Sequence, residues 1–414
     1  MQTFGKTMRN SLPALGLSLM TALGMASASF VAAPAAYAQN KAKKEFVENF
    51  NAASSALSSR QWSTAISKAD AAWPHAANTQ QKSALEQIRV AASCDSSIKN
   101  HAGCISAIEK AKQTGGLQSS IVKNYDQMLA GRYSDSGNGA KALAQTKANI
   151  AAYGGTSTEL AFVAKKSLEA KNYPEAVTFI NKAIAAGKPT ATQYNILLNA
   201  LQAQNKLDEF YRVVEKIAPI YKTDTYWRML IERSRKETNY KTGVAGLDVF
   251  RALQASGVKL KPEELFEMGD LARKRGNVIE ASNVWEALVK ANDPLAVKNK
   301  GLIDTTKVAA AKDKASGLAA SEAAAATRAS GEQFGLAAEA YLAAGNYAKA
   351  IELFDKGIKK GEMDAGAVDL VKLHLGIAQF KGGKKADATK TWQSIKSDNG
   401  AAWLAKSWLA IAKS

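Results

Sequence analysis

A short pattern recurs at intervals of 33 to 39 residues along most of this 414-residue chain, and it limits the fold more than any other sequence feature. It is clearest as KNYPEAV at 171–177 and as GNYAKAI at 345–351. The sixth residue of each copy is usually small, and it can be followed as Ala65, Cys104, Ala142, Ala176, Phe210, Gly243, Ala281, Ala350 and Ala388. Because the one longer interval, 69 residues between Ala281 and Ala350, is close to two periods, a degenerate repeat is predicted there.

Two further positions keep the same register. Twelve residues before each sixth position the chain carries mostly small residues: Ala53, Ala92, Ala130, Ala164, Leu198, Ile231, Gly269, Ala338 and Gly376. Four residues after it, the residues are mostly apolar: Ala69, Ile108, Thr146, Ile180, Val214, Leu247, Trp285, Phe354 and Trp392. Helical periodicity places such positions on one buried stripe, and small residues let two helices approach closely. Each repeat is therefore predicted to be a pair of antiparallel helices.

This pattern resembles the tetratricopeptide repeat family from about residue 45 to residue 396, in nine visible repeats and one eroded repeat. We therefore expect an all-α fold, an α-solenoid of about ten helix-turn-helix repeats. The resemblance adds that the stacked pairs wind into a right-handed superhelix. It also implies a concave face that binds peptides or partner helices.

The predicted organisation has four segments: a signal peptide at 1–38, an N-terminal solenoid at 39–290, a departure from the pattern at 291–333, and C-terminal repeats at 334–414. No aromatic residue occurs between Trp285 and Phe334. We interpret 291–333 as a poorly packed repeat, with a hinge as the alternative. The amphipathic tail at 403–411 is predicted to be a helix that caps the last pair, with a membrane-surface helix as the alternative.

The first 38 residues have the features of a secretory signal peptide. Lys6 and Arg9 precede a stretch of apolar and small residues at 12–31, and Ala36-Tyr37-Ala38 supplies small residues at a cleavage site. Pro13 disfavours the alternative of an uncleaved membrane anchor. We expect cleavage after Ala38 and export to a bacterial periplasm, with no transmembrane segment in the mature chain.

The charge balance indicates acidic partners. The chain has 55 Lys and Arg against 37 Asp and Glu, a net charge of +18, and loss of Lys6 and Arg9 with the signal leaves +16. In a periplasm this positive charge is expected to meet acidic proteins or peptides or an anionic envelope polymer, and no nucleic acid.

The two cysteines, Cys94 and Cys104, lie ten residues apart. In the repeat register they face each other across one helix pair, so a disulfide is the favoured interpretation in an oxidising compartment. Two unpaired thiols or a redox-active pair are the alternatives, and the spacing is not C-x-x-C. With three scattered histidines, no metal or other cofactor is expected.

No catalytic motif stands out. The chain lacks G-x-S-x-G, H-E-x-x-H and a Walker A sequence in a suitable context. His75 follows Trp-Pro in a connection and His374 lies within a predicted helix, and both are interpreted as ordinary surface or groove residues. No segment is left over for a lysozyme-like domain of the kind found in lytic transglycosylases. The protein is therefore predicted not to be an enzyme.

The family resemblance points to groove residues one, five and eight places after the large apolar position of each first helix. The candidates for partner binding are Asn195, Asn199, Gln202, Arg228, Arg235 and Arg273. Asn195 and Asn199 are expected to hydrogen-bond an extended peptide, and the arginines to bind carboxylates. The pair resembles the carboxylate clamp of chaperone-binding members, but Asn195 stands where the clamp has Lys. Solvated charge on a basic surface is the alternative.

The sequence thus favours a non-enzymatic periplasmic scaffold or adaptor that binds protein or peptide partners in a groove and takes part in envelope assembly. One alternative is a binder of anionic envelope polymer, a polysaccharide or lipopolysaccharide, through the basic surface. Another is an auxiliary subunit of an envelope biogenesis complex. Polymer binding should collapse at moderate salt, whereas a groove–peptide contact should survive it.

Overall fold

The computed structural model describes residues 36–236, 243–396 and 400–414, and the regular elements in these ranges are all helices. The first helices are α1 (Ala36–Ser58), α2 (Trp62–Ala72), α3 (Thr79–Ser93), α4 (His101–Thr114), α5 (Ser119–Asp135), α6 (Gly139–Tyr153), α7 (Ser157–Glu169), α8 (Tyr173–Ala185) and α9 (Ala191–Ala203). The prediction of an all-α repeat fold is confirmed. The predicted signal peptide lies almost wholly outside the described residues.

The remaining helices belong to the second half of the chain. They are α10 (Leu207–Tyr221), α11 (Asp224–Glu232), α12 (Gly243–Ala255), α13 (Pro262–Lys274), α14 (Val278–Lys290), α15 (Pro294–Lys298), α16 (Lys300–Lys312), α17 (Leu318–Thr327), α18 (Glu332–Ala343), α19 (Tyr347–Lys360), α20 (Ala365–Lys381), α21 (Lys385–Gln393) and α22 (Gly400–Lys413). No helix in the described ranges is long and apolar enough to span a bilayer.

The chain divides into two compact units, unit 1 (Met1–Gln204) and unit 2 (Asn205–Ser414). In unit 1, α1 packs on α2, α3 on α4, α5 on α6 and α7 on α8, and each pair packs on the next. The division falls inside the segment 39–290 that was predicted as one solenoid. The physical reason is α22, which packs against α10, α11 and α12 as well as α20 and α21, so that residues 205–414 close on themselves.

The Asn-containing turn of the repeat is a helix cap. The Asn172 side chain accepts a hydrogen bond from the Glu175 N–H, and Asn346 does the same for Lys349. Such caps satisfy an N–H group that has no partner within its helix. Gly345, just before the cap, has a φ of +81°, which is why the pattern places glycine there.

The small sixth position of the repeat is the fourth residue of each second helix. This holds for eight of the nine positions, from Ala65 in α2 to Ala388 in α21, and all eight are buried. Gly243 is the exception, because it is the first residue of α12. The fourth residue of that helix is Gly246, where an added Cβ would lie 2.9 Å from Leu271 Cδ1. The assignment at this repeat was therefore three residues off.

Two repeats of unit 2 pack a tryptophan directly on a glycine. A Cβ added at Gly269 would lie 2.2 Å from Trp285 Nε1, and one added at Gly376 would lie 2.2 Å from Trp392 Nε1. The Trp392 indole donates to the Leu373 carbonyl at 3.1 Å, and Trp392 is only 1% exposed. The residue twelve places before the sixth position of the repeat thus has to be small when the residue four places after it is large.

Residues 291–333 form α15, α16, a π-helical turn at Asp313–Gly317 and α17. They pack on α14 and on α18, the neighbours on either side. Their buried side chains are small or few, among them Ala296, Ile303 and Ala325. The interpretation of this segment as an eroded repeat, and the alternative of a hinge, both stay predictions.

The C-terminal helix α22 carries its apolar residues into unit 2. Leu404 and Trp408 are fully buried, and the Trp408 ring stacks on Trp392 with centroids 5.5 Å apart. The Arg233 guanidinium lies 4.0 Å from the Tyr211 ring centroid and 3.4 Å from that of Trp403. Because this face is covered, it is not available for the alternative role at a membrane surface.

Candidate functional site

Three of the predicted partner-binding residues form an exposed stripe on α9 of unit 1. Asn195, Asn199 and Gln202 are exposed, and their spacing of four and three residues places them on one helix face. The other faces of α9 are packed, with these residues buried: Ile196, Leu197, Leu198, Ala200 and Leu201. The helix begins with a capping box in which Thr190 and Gln193 satisfy each other's backbone N–H groups.

A lysine adjoins this stripe on the neighbouring first helix. Helices α7 and α9 are in contact, and Lys165 occupies in α7 the register position that Asn199 occupies in α9. The Lys165 side chain is exposed, and its Nζ lies 3.9 Å from a carboxylate oxygen of Glu169. We refer to Lys165, Asn195, Asn199 and Gln202 as the amide stripe of unit 1.

Arg228 of unit 2 is already bound to carboxylates of its own chain. Its two terminal nitrogens contact the two Glu264 oxygens at 2.7 and 2.9 Å, and Nη1 lies 3.2 Å from Glu232. The hydrogen bonds with Glu264 raise the pKa of Arg228 and lower that of Glu264. Arg228 therefore links α11 to α13, and a partner carboxylate would have to displace Glu264.

The other two predicted arginines also lie in unit 2. Arg273 donates to Asp270 at 2.8 and 3.2 Å, and Lys274 contacts the same carboxylate at 2.7 Å. Arg235 lies in the short 3-10 helix Arg233–Lys236, and its side chain is outside the described part of the chain. Three candidates thus fall in each unit, and only those of unit 1 present a continuous exposed face.

Unit 2 contains a buried charge network that was not predicted from the sequence. Its members come from four helices and from Arg275, the residue that follows α13: Asp248, Arg251, Arg275, Glu280, Glu339 and His374. The Arg251 guanidinium donates to Asp248 at 2.7 Å, to Glu280 at 2.7 Å and to Glu339 at 3.0 Å. Arg251 is 7% exposed, and Asp248 is fully buried. Charges this deep are tolerated only when they are paired and hydrogen-bonded.

His374 is part of this network and not the surface or groove residue that was expected. It is 1% exposed, its Nε2 lies 2.9 Å from Asp248, and its Nδ1 lies 3.1 Å from Glu339. Burial alone would lower the pKa of His374, but the two carboxylates outweigh that effect and raise it to about 9. Both ring nitrogens therefore donate, and the imidazole is charged at neutral pH. The only signal in the sequence was polar residues inside otherwise apolar helices.

Cys94 and Cys104 are joined by a disulfide in unit 1. Their sulfurs are 2.00 Å apart and their Cα atoms 4.7 Å apart. Cys94 follows the last residue of α3, and Cys104 is the fourth residue of α4, so the bridge ties the two helices of one pair across their connection. Both residues are at most 2% exposed, and the Arg132 side chain donates to the Cys94 carbonyl at 2.6 Å. A buried bridge of this kind is structural.

Loss of this bridge is expected to lower the free energy of unfolding of unit 1 by about 2–3 kcal/mol, because the open chain gains loop entropy in the unfolded state. Calorimetry with and without a thiol reductant measures the effect. The double variant Cys94→Ser, Cys104→Ser is the control, since reductant should not change its unfolding. Complete alkylation of both thiols in protein never exposed to reductant would contradict the bridge itself.

Within the ranges that the structure describes, no group of three or more His, Cys, Asp or Glu side chains is arranged to hold a metal ion. No protein-family model matches the chain, and no curated protein matches it. Among solved structures, it is similar to a tetratricopeptide repeat protein from Parabacteroides merdae ATCC 43184. The two chains are 12% identical, with a TM-score of 0.29, and the match covers 80% of this chain and 98% of the other.

Proposed function

We propose that this protein is a non-catalytic scaffold and that unit 1 binds an extended, acidic segment of a partner protein along its amide stripe. The observation that carries the proposal is the exposed run of Asn195, Asn199 and Gln202 on a helix whose other faces are packed. A primary amide both donates and accepts, so it complements the N–H and C=O groups of a peptide backbone.

The length of the stripe suits a short stretch of extended chain. From Asn195 to Gln202 the helix rises about 10 Å, at ~1.5 Å per residue. An extended peptide covers the same distance in about three residues, at ~3.3 Å each. Three amide side chains therefore meet about three consecutive peptide units.

Charge supports the choice of an acidic partner. Residues 39–204 carry 19 Lys and Arg against 11 Asp and Glu, a net charge of +8. Lys165 places one of these charges beside the amides, where its ion pair with Glu169 is exposed and weak. Acidic side chains of the bound segment would be attracted by this positive charge.

We propose further that the partner is met in the periplasm and belongs to envelope assembly. The export features of residues 1–38 support this location, and a buried disulfide fits an oxidising compartment. Detection of the processed chain, beginning at Gln39, in a periplasmic extract is the direct test.

One observation favours the alternative, a binder of anionic polymer. The half-buried Trp73 ring of unit 1 is surrounded by Lys82, Arg89 and Lys110, at 5.6, 4.7 and 5.6 Å from its centroid. Aromatic rings with cations suit charged sugar polymers as well as acidic peptides. A polymer would contact many such surface charges, so its affinity should fall steeply with salt.

The test uses acidic peptides selected by display against the folded protein. The triple variant Asn195→Ala, Asn199→Ala, Gln202→Ala is expected to weaken their binding roughly 10- to 2,000-fold, at ~0.5–1.5 kcal/mol for each of three hydrogen bonds. The matched control is Gln80→Ala, Gln113→Ala, Gln118→Ala, three exposed amides elsewhere in unit 1. Equal weakening by both variants, or none by the first, would overturn the proposal. Binding that disappears at moderate salt would favour the polymer.

A further inference from the structure

Unit 2 contains a cavity of about 230 Å³ beside the buried charge network. Four of its lining residues are apolar, namely Met268, Val284, Leu342 and Ile377. Arg251, Glu280 and Glu339 of the network line it as well. At ~30 Å³ per water molecule, the space corresponds to about eight water molecules, or to a ligand of about eight non-hydrogen atoms.

The network itself contributes no net charge to this cavity. Asp248, Glu280 and Glu339 balance Arg251, Arg275 and the charged His374, which are hydrogen-bonded to them. The two carboxylates that line the space are thus neutralised by their own partners. An additional charge at the cavity wall is therefore not cancelled by the network.

Lys381, at the end of α20, supplies that additional charge. Among the described residues, no carboxylate lies within 4 Å of its Nζ. Much of its side chain is accessible, but the surrounding helices desolvate the ammonium and lower the pKa of Lys381, against the attraction of Glu280. A desolvated ammonium that makes no ion pair within 4 Å gains from binding an anion.

Other polar groups line the same cavity as Lys381 and can complete the coordination of that anion. The Tyr347 hydroxyl and the Gln254 amide line the same cavity, and neither makes a hydrogen bond within the part of the chain that the structure describes. The Asn283 amide donates to the Ala343 carbonyl at 3.0 Å, which leaves its second N–H. A single positive charge beside a network without net charge suits a monoanion, and it would leave one charge of a doubly charged phosphate uncompensated.

We propose that this cavity binds a small ligand that ends in a carboxylate, with the carboxylate on the Lys381 ammonium and Tyr347 hydroxyl and its apolar stem against Met268, Val284, Leu342 and Ile377. Two sources supply such a carboxylate, a free organic acid and an acidic peptide side chain. The site lies wholly in unit 2 and is independent of peptide binding by unit 1.

Calorimetric and NMR titrations of the full chain test this site. The probes are hexanoate, which has eight non-hydrogen atoms, its neutral analogue hexanamide, and glutamate blocked at both ends. Saturable binding of hexanoate or of blocked glutamate is expected in the millimolar range or tighter, and hexanamide should bind at least about tenfold more weakly than hexanoate. Binding of hexanoate alone identifies a free acid as the ligand, and binding of blocked glutamate alone identifies a peptide side chain.

Two variants locate the binding. Lys381→Met, which keeps the chain length and removes the charge, should weaken binding at least about tenfold, whereas Lys390→Met on the exposed face of α21 should leave it unchanged. Gln254→Trp, which fills the mouth of the cavity without altering its charge, should weaken it as well. Undiminished binding by folded Lys381→Met and Gln254→Trp, equal binding of hexanoate and hexanamide, or no saturable binding of either carboxylate would each overturn the proposal.

Discussion

Replacing Arg251 with methionine is expected to lower the free energy of unfolding of unit 2 by about 3–5 kcal/mol, because it leaves buried carboxylates without their counter-charge. Asp248, Glu280 and Glu339 each accept a hydrogen bond from this one guanidinium. His374 still neutralises part of the charge, but Glu280 loses its main partner. Unfolding in urea, monitored by hydrogen exchange of peptides from unit 2, measures the change in free energy.

The control for this experiment is Arg212→Met. Arg212 is exposed on α10, and its Nε donates to the Asp208 carbonyl at 3.4 Å, the one hydrogen bond of its side chain among the described residues. A surface substitution of this kind should change the free energy of unfolding by less than about 0.5 kcal/mol. If both variants unfold at the same urea concentration, the network does not stabilise unit 2.

Replacing Gly376 with alanine is expected to lower the free energy of unfolding of unit 2 by about 3 kcal/mol, although it adds a single methyl group. The new Cβ would lie 2.2 Å from Trp392 Nε1, so the buried indole has to move and its hydrogen bond to the Leu373 carbonyl is strained or lost. Overpacking costs about 1–3 kcal/mol, and a buried donor without a partner adds about 1–3 kcal/mol. Thermal and urea unfolding of the variant give the number.

The chain itself offers the compensating change. In the pair α18 and α19, the equivalent positions hold Ala338 and Phe354, both fully buried. The double variant Gly376→Ala, Trp392→Phe reproduces that combination and should be more stable than Gly376→Ala alone. A double-mutant cycle with no coupling between the two positions would show that their contact does not determine the packing.

The sequence was sufficient for features repeated within one helix pair. Small residues such as Ala176 and Ala350 recur in register, so their burial on the second helix could be predicted from spacing alone. At Gly243 the spacing failed, because α12 begins there and Gly246 takes the close-contact position. Both positions hold glycine, so residue size alone could not decide which of them makes the close contact.

Contacts between different repeats could not be read in the same way. Asp248 meets His374 across 126 residues of sequence, with no motif that links them. The same holds for Arg228, whose binding of a partner carboxylate stays a prediction: it contacts Glu264 on the next first helix, 36 residues later. The spacing within one repeat identifies a residue whose side chain faces the next repeat. It does not show whether the next repeat already supplies a carboxylate to bind that side chain.

The return of α22 to the start of unit 2 affects how this half of the chain can unfold. Lys222, at the end of α10, donates to the terminal residue Ser414 at 2.7 Å, and Arg233 is held between rings from α10 and α22. An open repeat array has exposed ends from which it frays one repeat at a time. In unit 2, α22 covers α10, α11 and α12, so the last described helix protects the first ones, and the repeats should come apart together in one cooperative step.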